Sequence, residues 1–86
     1  MIIHLSDNSE IDTERDLRSA EKHILQKLLC YKYFACSVAE FRQKKEAAFR
    51  VGWNESGPVR ESATMARIAE QLEAELRLRL DNQAGQ

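Results

Sequence analysis

The residues of this chain that could do chemistry are few and stand far apart. Cys30 and Cys36 enclose five residues, whereas paired zinc ligands usually enclose about two to four and recur as a second pair. No second pair follows, and His4 and His23 stand at no ligand spacing, so no metal and no cofactor are predicted. A redox Cys-x-x-Cys is absent, and both thiols read as small buried hydrophobes. Nucleophilic catalysis needs a nucleophile, a base and an orienting group brought together. His23 lies inside a helical stretch between Lys22 and Ile24, and His4 lies near the start. No serine sits in a glycine elbow, and no glycine-rich loop could cradle a phosphate. The acids Glu70, Glu73 and Glu75 read as a solvated helix face. The expectation is a protein without catalytic residues, not an enzyme.

The unusual feature is where the aromatics fall. Tyr31, Tyr33, Phe34, Phe41, Phe49 and Trp53 all lie between positions 31 and 53, among Lys27, Lys32, Arg42, Lys44, Lys45 and Arg50. Such a mixture can stack bases and neutralise phosphates. It can equally be a small aromatic core with cations on its outer faces, and that reading is preferred. Lys44, Lys45, Arg50 and Trp53 are the candidate surface for a partner or a nucleic acid. Ser37–Phe41 could open a helix-turn-helix motif. The helix-forming run Arg42–Ala48 follows without the tight turn that the motif requires, so that match breaks.

The elements that must position these residues are helices. Thr13 followed by Asp16 fits a capping box, in which a hydroxyl and an acid satisfy each other's backbone N–H groups. Behind it Leu17, Ala20, Ile24 and Leu28 recur at helical spacing, which predicts a helix over about 13–35. Ser37 and Glu40 form a second such box ahead of a helix over 38–51. Whether these two helices are continuous stays open at this point. Gly52, Gly57 and Pro58 mark a loop. Pro58 suits the first turn of a third helix over 58–80, whose Met65, Ala69, Leu72 and Leu76 follow a heptad-like seam. Residues 1–12 read as an arm or a short strand, 13–81 as a single helical domain, and 82–86 as a disordered tail.

The fold class is therefore all-α, with two to three antiparallel helices. Two such stripes are hard to cover in isolation, so a homodimer completing a helical bundle is expected. Tyr31, Phe34, Phe41, Met65, Leu72 and Leu76 are the candidate self-association residues. The chain has 86 residues and a net charge of −1, a balance that nucleic-acid-binding domains seldom show. No apolar run nears about 18 residues, so no membrane span is predicted. The first residues lack a basic stretch followed by an apolar one, which reads as cytoplasmic with reduced thiols. The function expected is that of a small non-enzymatic interaction protein: an adaptor, chaperone or inhibitor that binds and modulates a larger protein partner. The alternative is a nucleic-acid-binding regulator using residues 27–53.

Overall fold

The computed structural model describes residues 1–52 and 57–84 of the chain. Two short strands come first, β1 (Ile2–His4) and β2 (Glu10–Asp12). Four helices follow: α1 (Thr13–Asp16), α2 (Ser19–Phe34), α3 (Val38–Val51) and α4 (Ala63–Ala84). The fold is thus mostly helical, with a small sheet that residues 1–12 build.

The hairpin arises from local chemistry. Ile3 and Ile11 pair across the antiparallel strands. Between them Asn8 takes a left-handed φ of 68°, a conformation that asparagine tolerates better than most residues. Its N–H donates to the Leu5 carbonyl at 3.0 Å, and the Leu5 N–H donates to the Ser9 carbonyl at 2.9 Å. A tight turn closed by one left-handed residue matches the twist of a hairpin. The loop is tied to α4: the Ser6 N–H donates to Gln71 Oε1 at 3.0 Å, and Arg67 reaches Asp7 Oδ2 and Ser9 Oγ.

The helix expected over 13–35 is two helices. Leu17 and Arg18 are extended, with ψ near 144° and 165°. Leu17 is buried in the core, and the break is what lets it turn inward. The cap of α1 is Asp12, whose carboxylate accepts from the Glu14 N–H at 3.0 Å, with Asp16 accepting from the Asp12 N–H. The box expected at Thr13 is therefore displaced by one residue, because the Thr13 hydroxyl is engaged with the Met1 carbonyl.

Residues 35–37 separate α2 from α3, so those helices are not continuous. Ser37 accepts from the Glu40 N–H at 3.0 Å, and Glu40 accepts from the Cys36 N–H at 3.4 Å. Ser37→Ala is expected to lower stability by about 1 kcal/mol, a drop of about 4–8 °C in thermal midpoint for a domain of this size. Circular dichroism melting checks it, with Ser37→Asp retaining the cap.

The last helix begins at Ala63 rather than Pro58 and extends to Ala84 rather than 80. Its cap is Ser62, whose hydroxyl accepts from the Met65 N–H at 3.2 Å. Ahead of it the chain is tied to the end of α3 by the Val59 N–H, which donates to the Phe49 carbonyl at 2.8 Å. Residues 82–84 are helical, and the remainder of the expected tail lies outside the described residues.

Cross-links give the helix directions. Glu21 meets Ser62 and Lys32 meets Glu75, so α2 and α4 run parallel. Arg42 meets Glu73 while Lys45 meets Glu61, so α3 runs against both. One core fills the space between them: Ile24, Leu25 and Leu28 from α2, Phe41, Ala48 and Phe49 from α3, and Met65, Ile68, Ala69, Leu72 and Leu76 from α4. Leu5, Ile11 and Leu17 add the hairpin to the same cluster.

Candidate functional site

The aromatic–basic segment divides into an inner and an outer part. Phe41 and Phe49 are buried, Tyr31 is half-buried, and Tyr33 and Phe34 are exposed. Trp53 lies outside the described residues. Of the candidate self-association residues, Phe41, Met65, Leu72 and Leu76 are enclosed by the chain's own core. No second copy could reach them without opening it. Tyr31 packs against that core, and only Phe34 is left at the surface.

The cations of the segment are largely engaged by acids. Arg42 donates to Glu73 through Nε at 2.6 Å and Nη2 at 3.0 Å, which holds the Glu73 carboxyl below its ordinary value. Lys32 pairs with Glu75 at 2.9 Å, and Lys45 with Glu61 at 3.7 Å. Lys44 stands over the Tyr31 ring, 5.4 Å from its centre. Arg50 is exposed at the last turn of α3. Glu73 thus turns toward α3, whereas Glu70 and Glu75 stay exposed, as their clustering suggested, with Glu75 reaching Lys32 from the surface. Lys44, Lys45 and Arg50 share one helix, but two of the three are occupied within the chain.

Among the described residues, the exposed aromatics lie at the far end of α2. Phe34 keeps 79% of its surface and Tyr33 69%. Cys30 and Cys36, read from sequence as buried, are both exposed free thiols beside them. The backbone under this patch is fixed. The Arg79 guanidinium donates to the Tyr33 and Ala35 carbonyls, which occupies the cationic group at a helix C-terminus where it is favoured. Cys30 is one helical turn before Phe34, so residue spacing alone could have placed them on one face. The full apolar stripe Ile24–Leu25–Leu28 on the opposite side was the signal.

Compared with family models, curated proteins and solved structures, the chain matches none. The geometry must then carry the reading. Among the described residues each carboxylate with a lowered pKa is engaged structurally: Asp7 with Ser9 and Arg67, Glu14 with Lys22, Asp16 with Arg15, Glu21 with Arg18 and Ser62, Glu73 with Arg42. Among the described residues no cluster of three or more His, Cys, Asp or Glu could hold a metal ion. None of their helices is long and apolar enough to cross a membrane. A cleft of about 140 Å³ lies between the hairpin loop and α4, below the ~300 Å³ usual for small-molecule sites. A groove of about 350 Å³ runs between Arg18, Ala20 and Pro58–Arg60. Arg18 is already paired with Glu21 there.

Proposed function

We propose that this chain is a small non-enzymatic interaction protein that engages a larger protein partner through the Tyr33–Phe34 end of α2. The observation that carries this is the exposure of two adjacent aromatics at one helix end, Phe34 being the most exposed large hydrophobic among the described residues. An exposed aromatic side chain forgoes about 1.5–3 kcal/mol of burial, and contiguous exposed apolar surface commonly marks a contact site. Aromatic anchors of this kind dominate binding energies. Lys32, 5.4 Å from the centre of the Tyr33 ring, adds a cation at the rim. A homodimeric bundle is not needed to cover the stripes, because α2, α3 and α4 cover one another.

The test is a photo-crosslinking residue at position 34, used in native-host cells, followed by affinity measurement with the purified partner. Phe34→Ser is expected to weaken that partner's binding at least ten-fold, since truncating an aromatic anchor removes about 2 kcal/mol or more. Its melting temperature should stay within about 2 °C of the parent, because the residue is exposed. Recovery of nucleic acid instead, with retention abolished by Lys44→Glu and Lys45→Glu, would replace the proposal by the regulator reading. A dimer in sedimentation that dissociates with Phe34→Ser would make a second copy the occupant.

A further inference from the structure

The two edges of the small sheet are not equivalent. In an antiparallel ladder, hydrogen-bonded pairs alternate with pairs whose N–H and C=O groups point outward. The Thr13 N–H donates to Met1 and the Leu5 N–H to Ser9, so Met1, Ile3 and Leu5 face β2. Ile2 and His4, opposite Asp12 and Glu10, direct their backbone groups to the other side. On β2 the outward Asp12 N–H is taken by Asp16 at 3.0 Å, where the chain turns into α1, which leaves Glu10 alone on that edge with outward groups that nothing among the described residues takes up. On β1 no group among the described residues takes up the outward N–H and C=O of Ile2 or His4. Ile2 is 55% exposed, and the His4 side chain 73%. An open edge without lysine, proline or a bulge is a template for another strand.

Charge selects the strand. Residues 1–16 hold five acids and one arginine. Asp7, Glu14 and Asp16 are paired with Arg67, Lys22 and Arg15. Glu10 meets His4, at 3.2 Å, and Asp12, the cap of α1, makes no ion pair within 4 Å among the described residues, with Arg15 acting on it from further off. Both stand on the solvent face next to Ile2 and His4. Paired through the same edge, a second copy would bring its own Glu10 and Asp12 close by and, of basic side chains on its strands, only His4.

We propose that the free edge of β1 docks an extended, cationic segment of a partner protein, which joins the hairpin as a third strand. The backbone of Ile2 and His4 supplies up to four hydrogen bonds. Lysine or arginine at alternate positions lays its stem over Ile2 and carries its charge toward Asp12 and Glu10. This rests on the interaction-protein reading and names the chemistry of one partner segment.

The test is an amide-resolved NMR titration of the full chain, at low and at raised salt. Its probes are a blocked hexapeptide alternating lysine and valine, and the glutamate–valine counterpart. The lysine peptide is expected to give saturable shifts at Ile2 and His4, with slowed hydrogen exchange there. Its binding should be at least ten-fold tighter than the glutamate peptide's and should weaken with salt. Ile2→Pro deletes an outward donor without touching a hairpin bond and should reduce binding at least ten-fold. Glu10→Gln with Asp12→Asn, which keeps an oxygen for the α1 cap, should abolish the preference between peptides. Equal binding of both peptides, shifts confined to α2 or α3, or no binding at millimolar peptide overturns the proposal. If position 34 still captures its partner after such a result, the edge proposal falls alone.

Discussion

Phe41→Ala is expected to remove about 3–5 kcal/mol of stability, the largest effect of any single substitution considered for this chain. Phe41 is 1% exposed and enters the core from the first turn of α3. A domain of this size holds about 5–15 kcal/mol in total. Losing that much leaves little margin, because the hole cannot close around three helices that are tied at both ends. Urea unfolding followed by circular dichroism measures it. Phe34→Ala, on an exposed ring, should change stability by no more than about 0.5 kcal/mol. If both variants unfold at the same urea concentration as the parent, the inner and outer assignment of the aromatics is wrong.

Glu21→Ala should cost about 1–3 kcal/mol, the penalty for leaving buried partners unsatisfied. Glu21 is 3% exposed. One oxygen accepts from the Arg18 N–H at 3.0 Å and from Arg18 Nε at 3.3 Å, and the other accepts from the Ser62 hydroxyl at 2.7 Å. That hydroxyl caps α4, so one carboxylate joins the starts of two helices. Burial pushes its pKa up, but the Arg18 N–H, the Ser62 hydroxyl and the Arg18 guanidinium outweigh burial and hold it below its ordinary 4.5. The unfolded chain therefore takes up this proton first as pH falls. The stabilisation is complete above about pH 4.5 and is lost as pH drops through the lower folded value. Urea midpoints measured from pH 7 down to pH 3 should fall more steeply for the parent than for Glu21→Gln. Parallel curves would show that this carboxylate is not the linkage.

Much of the fold is legible along the chain, because a helix writes its buried face into local spacing. Met65, Ile68, Ala69, Leu72 and Leu76 line α4 as their three- and four-residue steps require. Ser37 marks the start of α3 for the same reason, its hydroxyl accepting from the Glu40 N–H three residues on, although the Glu40 carboxylate takes the Cys36 N–H and does not close the expected box on Ser37. The hairpin had a signal too, since apolar Ile3, Leu5 and Ile11 flank Ser6-Asp7-Asn8-Ser9, but a two-stranded unit needs a supporting surface. That surface is α4, more than fifty residues away.

The candidate surface was much less legible, because exposure depends on what lies opposite. Phe34 and Phe41 are the same residue type seven positions apart, yet one is 79% exposed and the other 1%. Arg42, Lys32 and Lys45 are ordinary surface cations until α4 and its leading segment bring Glu73, Glu75 and Glu61 against them. Glu21 reaches Ser62 across forty-one positions and so ties the start of α2 to the cap of α4, a link no local spacing announces. By itself, then, the sequence determined that the chain is mostly helical and where most of its apolar stripes lie. Only the tertiary structure decided which aromatics face water, which cations are already paired, and which strand edge is open. Periodicity is a property of neighbours along the chain. Burial, charge pairing and edge satisfaction are properties of neighbours in space.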